Sequence, residues 1–296
     1  MMTAEVLRHQ VWRPAEIEEP TNRWFIHPLS WRIVQWSAHW GVHPNVLSLA
    51  GLCCGLGAAV AYGFWEQRWT CVVGFALMVL WHVLDGADGQ LARLTGTASE
   101  WGKVLDGLCD HGTFVAIYTS LAWSLLPQMG AESFFLAAVA GLSHFVQASS
   151  YERQRQLYEH WVFGKPTLVA AVERIPQTIR PFYRVYLAVQ KYLSGEHRLR
   201  RVELLANTGS IAVLRQWYRY LFRPVVHGWS LLSSNYRTLV LFVTGALGSP
   251  AVFWWWECIG LNAALVVLQR WTYARQGRLW QVVQEQGFCE RPLVSR

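Results

Sequence analysis

The residues best suited to chemistry are four acids near the end of an apolar segment. Asp85 and Asp88 come first, and Asp106 and Asp110 follow. On helices, Asp85 and Asp88 would share one face, while Asp106 and Asp110 would share a face of the next helix. A carboxylate at a membrane border costs free energy unless it is paired, hydrated or bound to a cation. The four acids are therefore candidates for a functional site.

Two acidic faces that meet would repel strongly, and some acids would take up protons, unless cations neutralised them. Oxygen ligands favour hard cations, and Mg²⁺ or Mn²⁺ is usual where a phosphate completes the coordination shell. The neighbouring sequence offers no combined set of thiolates and imidazoles for zinc. We therefore expect a pair of Mg²⁺ or Mn²⁺ ions, an arrangement that stabilises the charge of a phosphoryl group in transfer.

Small residues and one arginine accompany the acids. Gly89 and Ala92 keep the face of Asp85 and Asp88 low in bulk, and Gly102 lies one turn before Asp106. A phosphate or a flat group could then approach the backbone closely. Arg93 adds a permanent cation that can bind phosphate with two hydrogen bonds. This charge pattern predicts a diphosphate substrate.

The stretch from Asp85 to Asp110 has every fixed position of the signature D-x2-D-G-x2-A-R-x8-G-x3-D-x3-D. It resembles the CDP-alcohol phosphotransferases, which transfer a phospho-alcohol from a CDP-alcohol to a hydroxyl and release CMP. The resemblance extends from about Pro44 to Tyr151. It implies six helices, a homodimer and a cavity that opens to the cytoplasm. Beyond Tyr151 nothing is carried over.

The resemblance also implies roles for single residues. Asp85, Asp88 and Asp106 would hold two divalent cations, and Asp110 would be the general base, although metal ligation by Asp110 stays open. The implied contacts to the CDP moiety are Asn45, Ser48, Asp88, Gly89, Ala92, Arg93 and Gly102.

The substrates are less defined than the reaction. The donor could be CDP-diacylglycerol with a polar acceptor, such as an inositol, glycerol or their phosphates, or a CDP-choline or CDP-ethanolamine type of donor with a lipid alcohol as acceptor. Many arginines on the expected cytoplasmic side favour the first, and candidate acceptor ligands are Lys103, Arg153 and Arg237. A cation-coupled transporter would explain the acids but not the spaced glycines and arginine. An inactive scaffold would not need all four acids.

The rest of the chain indicates how these residues are positioned. Hydrophobic residues make up 53% of the sequence and charged residues only 15%, a balance typical of a membrane protein. A helix of about 20 apolar residues crosses a bilayer. We predict an all-α integral membrane protein with six spans, at about residues 44–65, 69–84, 110–126, 133–149, 239–247 and 250–268.

Basic residues are concentrated in the N-terminal segment, after the second span and in residues 151–237, which hold fourteen Lys and Arg. Short basic loops stay in the cytoplasm, so we expect both termini and the active site to face the cytoplasm of a bacterial inner membrane. The net charge of +7 suits anionic lipid headgroups, and we expect membrane lipids rather than nucleic acid as partners. No removable signal peptide is expected.

We predict five segments. Residues 1–43 form a cytoplasmic segment with an interfacial amphipathic helix, in which Trp31, Ile33, Val34, Trp36 and Trp40 share one face. The others are spans one to four with the signature (44–150), an extra cytoplasmic segment of amphipathic helices that could cover the active site (151–233), spans five and six (234–275), and a cytoplasmic tail (276–296). His82 is expected to pack between helices rather than to orient a metal ligand.

Overall fold

The computed structural model describes residues 14–165, 177, 180–196, 198, 199, 202 and 211–286. Within these ranges all regular structure is helical, which confirms the all-α prediction. The elements are a π-turn Asn22–Ile26, α1 His27–His39, α2 Pro44–Gly63, α3 Arg68–Thr95, α4 Glu100–Met129, α5 Glu132–Phe163, α6 Arg180–Ser194, α7 Ile211–Trp229, a 3-10 turn Ser230–Leu232, α8 Ser234–Ala246, α9 Ala251–Trp255, a π-turn Trp256–Leu261 and α10 Asn262–Gln286.

Three helical stretches in the described part of the chain are long and apolar enough to cross a membrane: Pro44–Gly63, Arg68–Thr95 and Ala251–Glu285. They contain the second predicted span and most of the first and the sixth, so the chain is a membrane protein. The other three predicted spans lie on α4, α5 and α8 and remain predictions.

The chain divides into two compact units. The first unit consists of Met1–Phe145 and Ser234–Gly260. Its central helix α2 packs along α3 and α4, because small side chains let the helices approach closely. A Cβ atom at Gly55 would lie 2.3 Å from the Thr113 hydroxyl oxygen on α4. Only glycine fits at that contact.

The second unit consists of Val146–Ser233 and Leu261–Arg296. Its helices α7 and α10 pack together, and the indole nitrogen of Trp229 donates to the Thr272 hydroxyl at 2.9 Å. The rings of Tyr218 and Phe222 stack at 4.2 Å in the buried face of α7. Within the segment 151–233, for which amphipathic helices were predicted, the described residues form the end of α5 and the helices α6 and α7. Their cytoplasmic position and a role in covering the active site remain predictions, as do the five segment boundaries.

The faces of α1 differ from the prediction. Trp31 and Val34 are buried at 4% and 0% exposure, whereas Trp36 and Trp40 are 61% and 67% exposed. The single face that was predicted is wrong, because at 100° per residue positions 31 and 34 lie opposite positions 36 and 40. One side of α1 faces the protein, and the other presents tryptophan outward.

Candidate active site

Two consecutive helices of the first unit carry the acids. Helix α3 continues without a break through Asp85 and Asp88 and ends at Thr95, and Gly96 follows in a left-handed conformation, with φ of +67°. The Ser99 hydroxyl then accepts from the Gly102 amide at 3.0 Å and caps α4. This short turn places the end of α3 beside the start of α4, so the two acidic faces meet.

The carboxylates form a compact cluster. Asp85, Asp88 and Asp106 each offer an oxygen within 4.8 Å of the others. Asp88 is buried, whereas Asp85 and Asp106 are partly exposed. Asp110 lies one turn beyond Asp106 and lines the same cavity. The lining residues are Ser48, Gly51, Trp81, Asp85, Asp88, Asp106, Cys109 and Asp110.

Helix α2 supplies a hydrogen bond to this cluster. The buried Ser48 hydroxyl donates to Oδ2 of Asp88. A carboxylate that accepts such a bond is held in one orientation, as metal ligands commonly are. Ser48 therefore touches an acid of the cluster as well as the cavity where the nucleotide was predicted to bind.

The predicted contacts to the CDP moiety lie in the same unit. A Cβ at Gly89 would lie 3.3 Å from a guanidinium nitrogen of Arg93, so the bare backbone at Gly89 leaves room for that guanidinium. A Cβ at Gly102 would lie 3.2 Å from the Ser99 hydroxyl oxygen and 3.9 Å from the side-chain oxygen of Asn45. Ala92 lies partly exposed one turn after Asp88. The glycines of the signature thus let polar side chains approach the backbone closely on both α3 and α4.

The donor set fits a hard divalent cation. Three carboxylate oxygens converge from two helices, and the Coulomb repulsion among like charges is large where water is largely excluded. A cation of charge two removes that repulsion, and carboxylates are ligands that Mg²⁺ accepts together with water and phosphate. Asp85, Asp88 and Asp106 could hold such an ion.

The three candidate acceptor ligands lie in different surroundings. Lys103 lies on α4, but its side chain is outside the described part. Arg153 is fully buried in the second unit and pairs with Glu196. Arg237 is also fully buried and donates from Nε to Glu257 at 2.9 Å. Because both arginines are themselves fully buried and paired with an acid, the geometry gives no support to acceptor binding by them.

His82 packs between helices, as expected. Its Nε2 atom lies 2.9 Å from the Thr238 hydroxyl on α8, and its ring lies against Trp81. His111 makes an edge contact with the Phe145 ring at 5.5 Å. Neither histidine belongs to the acidic cluster that the structure describes.

Sequence reasoning missed three residues of the cavity lining, Gly51, Trp81 and Cys109. Helical spacing could have found two of them, because Gly51 follows Ser48 by three residues and Trp81 precedes Asp85 by four. It also missed the buried Glu257, which accepts from the Tyr118 hydroxyl at 3.2 Å as well as from Arg237. The sequence did offer a signal for Glu257, because an acid within a predicted membrane span is a functional candidate.

Comparison with curated proteins found several similar chains. The chain is 30% identical over 119 residues to a CDP-diacylglycerol--glycerol-3-phosphate 3-phosphatidyltransferase of Cereibacter sphaeroides, covering 38% of this chain and 53% of the relative. It is 33% identical over 84 residues to a phosphatidylinositol phosphate synthase of Mycolicibacterium smegmatis, covering 28% and 36%. A phosphatidylinositol phosphate synthase of Corynebacterium glutamicum is 31% identical over 116 residues, covering 38% and 51%.

The matched regions span about half or less of the length of these curated relatives. The family model described as CDP-alcohol phosphatidyltransferase matches residues 41–189, which include α2, α3, α4 and the whole acidic cluster. By this match the chain belongs to the CDP-alcohol phosphatidyltransferase family.

Proposed function

We propose that the protein transfers a phosphatidyl group from CDP-diacylglycerol to a hydroxyl of a polar acceptor, such as an inositol, glycerol or their phosphates, and releases CMP in phospholipid synthesis. The observation that carries this proposal is the acidic cluster in a chain of this family. Oxygens of Asp85, Asp88 and Asp106 lie within 4.8 Å of one another, and Asp110 lines the same cavity.

The relatives' names support this choice of substrates. One relative is named for transfer to glycerol 3-phosphate from CDP-diacylglycerol, and two are named for the synthesis of phosphatidylinositol phosphate. All three names describe a phosphatidyl product on a polar acceptor. They favour a lipid donor over a CDP-choline or CDP-ethanolamine type of donor.

Two Mg²⁺ or Mn²⁺ ions are the proposed cofactors, held by Asp85, Asp88 and Asp106, with Asp110 as a possible further ligand. When bound, they would neutralise charge on the diphosphate and on the oxygen that leaves with CMP. The Ser48 hydroxyl, which donates to Asp88, would keep one ligand oriented. Arg93 would contact the diphosphate from the exposed end of α3.

Asp110 is the proposed general base. Its carboxylate would accept the proton of the acceptor hydroxyl as the oxygen attacks the phosphorus farther from cytidine. A new phosphorus–oxygen bond forms, the bond to the bridging oxygen breaks, and CMP leaves. Gly89 and Gly102, with Ala92 and the nearby Asn45 side chain, would receive the cytidine end.

The proposed setting is a bacterial inner membrane, with six spans, cytoplasmic termini and a homodimer. Three apolar helices of sufficient length support a spanning protein. The first two of these helices flank a short link, so they cross in opposite directions if both span. Helix α3 is about 42 Å long at about 1.5 Å per residue, longer than the roughly 30 Å hydrocarbon layer. This length would let its acidic end project to the membrane surface.

The test is CMP release by purified protein in lipid nanodiscs with Mg²⁺. CDP-diacylglycerol would be paired with glycerol 3-phosphate, inositol phosphate, glycerol or inositol, and CDP-choline would be paired with diacylglycerol. We expect release with CDP-diacylglycerol and one polar acceptor, and its loss in Asp110→Asn. Glu66→Gln, a change at an exposed acid of the α2–α3 link, should keep the activity. Release only with CDP-choline would contradict the proposed donor, and no release with any pair would contradict the enzyme proposal.

A further inference from the structure

The buried face of α1 lies against the part of α3 that carries the acids. Trp31 and Val34 of α1 form an apolar cluster with Leu84, Ala87 and Leu91 of α3. These α3 positions alternate with the acids along the same turns. Helix α1 therefore supports the catalytic end of α3 from a side that does not line the cavity.

A chain of buried polar groups crosses this contact. The Gln90 side-chain amide lies 3.1 Å from Nδ1 of His27. Nε2 of His27 lies 3.1 Å from a carboxylate oxygen of Glu18, and the other oxygen of Glu18 accepts from the Asn22 amide at 2.9 Å. Gln90, His27 and Glu18 are only 0%, 6% and 7% exposed. Loss of the Gln90 side chain would leave the buried Nδ1 of His27 without that hydrogen-bond partner, which costs free energy.

The two contacts of His27 differ in kind. The Gln90 side chain lies within hydrogen-bond distance of Nδ1, whereas the approach of Nε2 to the Glu18 carboxylate at 3.1 Å is a close contact of ion-pair type rather than a hydrogen bond. Glu18 therefore packs against the imidazole from one side, and Gln90 is its hydrogen-bond partner on the other.

A second contact lies one turn earlier on α3. The buried Ser30 hydroxyl donates to the Val83 carbonyl oxygen at 2.7 Å. A Cβ at Gly86 would lie 2.7 Å from the same hydroxyl oxygen, so glycine beside Asp85 permits this approach. Contacts at Val83, Gly86 and Gln90 therefore bracket Asp85 and Asp88.

These contacts restrain rotation of α3 about its axis. Gln90 is 140° around the helix from Asp85 at 100° per residue, so a side chain held at Gln90 sets the direction in which the acids point. Functional groups must be held within about 0.5 Å or 10–20° of their working geometry. A small rotation of α3 would separate Asp85 and Asp88 from Asp106, which lies on α4.

We infer that His27, held by Glu18, is a positioning residue for the acidic site: through Gln90 it fixes the rotation of α3 that brings Asp85 and Asp88 to Asp106. The inference rests on the proposed function, because it takes the cluster to be a metal site. His27 does not line the cavity, and its effect passes through α3. The N-terminal segment is thereby part of the catalytic apparatus.

The test is Mn²⁺ binding to purified protein in nanodiscs, measured by electron paramagnetic resonance without substrate. His27→Leu and Gln90→Leu should each weaken Mn²⁺ binding about fivefold, and the double variant should be no weaker than either single variant, because the residues act through one contact. His39→Ala, at an exposed position of the same helix, should bind as the wild type does. Thermal unfolding without metal reports the folded fraction.

The outcomes separate the two proposals. Folded His27→Leu protein that binds Mn²⁺ as tightly as the wild type overturns the positioning role, even if its Tm is lower. If His27→Leu does not fold, Gln90→Leu decides in the same way. Wild-type protein that binds no Mn²⁺, or Asp106→Asn protein that binds it normally, overturns the metal site and the positioning role with it.

Discussion

Buried charges are arranged differently in the two units. In the Val146–Ser233 and Leu261–Arg296 unit, Arg155 lies between Glu152 and Glu159, at 3.2 Å from an oxygen of the latter. In the other unit, three carboxylates of like charge come within 4.8 Å of one another. Lys165 also pairs with Glu159 at 3.1 Å, so two cations meet two carboxylates and the first arrangement balances its own charge. The second is suited to a cation from outside the chain.

The pKa of Arg155 reflects this balance. Burial lowers the pKa of its guanidinium, but the carboxylates of Glu152 and Glu159 raise it by more, so the net pKa lies above its ordinary value. Arg155 thus stays charged at any physiological pH. Its ion pairs form between side chains of the protein and require no added cation.

The unit with the acidic cluster can also balance buried charge. There, Arg237 donates to Glu257 at 2.9 Å, and both side chains are fully buried. Structural ion pairs therefore occur in both units, and the convergence of like charges is particular to the candidate site among the groups that the structure describes. This contrast supports a functional interpretation of Asp85, Asp88 and Asp106.

The largest effect on CMP release is expected from Asp106→Asn, which removes one carboxylate of the acidic cluster. We expect CMP release to fall about a thousandfold or more, which corresponds to about 4 kcal/mol of transition-state stabilisation. In the presence of a chelator, however, the Tm should stay the same or rise, because one negative charge is removed from the cluster. Steady-state rates and thermal unfolding in nanodiscs measure the two effects. A large drop in the Tm of the metal-free variant would mean that Asp106 is a structural residue.

A smaller effect is expected from Ser48→Ala, which removes the hydroxyl that donates to Asp88. Loss of a group that orients a metal ligand weakens metal binding about 10–100-fold. We expect the lower end, about tenfold, in the Mg²⁺ concentration that gives half-maximal CMP release. If the KM for the CDP donor rises instead and the Mg²⁺ dependence is unchanged, Ser48 contacts the nucleotide without orienting Asp88.

The smallest effect on the rate is expected from Arg155→Met in the other unit. Removing one partner of a fully buried ion pair costs about 3–5 kcal/mol of stability. Because the Glu152 side chain is 35% exposed, water screens part of this interaction, and we expect a loss of about 2 kcal/mol. CMP release per folded molecule and its Mg²⁺ dependence should stay unchanged. Arg184→Met, at an exposed position of α6, is the matched control for stability. A changed Mg²⁺ dependence in Arg155→Met would remove the distinction between the two charge clusters.

The acidic site could be predicted because its information is local. Asp85 and Asp88 are one helical turn apart, as are Asp106 and Asp110, and a short turn joins their helices. Periodicity places each pair of acids on one helix face, and the short turn keeps the two helix ends close together. That the two faces meet is shown by the structure. The helical character of α6 and α7 was predictable for the same reason, since their apolar residues recur at helical spacing.

Contacts between distant residues could not be predicted in this way. Gln90 meets His27, and Asn235 meets Glu19 at 2.8 Å, but nothing in either local pattern specifies the partner. The assignment of five apolar residues at positions 31–40 to one face disregarded helical spacing, which puts positions 31 and 34 opposite 36 and 40. Spacing could have separated the two sides, but it does not tell which side packs on the protein, because tryptophan is common both in membrane interfaces and in protein cores.

The most direct test of the central claim is a Mg²⁺ titration of CMP release from CDP-diacylglycerol, with the acceptor that supports turnover, for wild type, Asp106→Asn and Arg155→Met side by side. The proposed site predicts saturable Mg²⁺ dependence in wild type and Arg155→Met with the same midpoint. For Asp106→Asn it predicts release that stays about a thousandfold or more below the wild type at every Mg²⁺ concentration. Wild-type release that persists in excess chelator, or an Asp106→Asn curve that matches the wild type, would contradict the assignment of this cluster as the catalytic metal site.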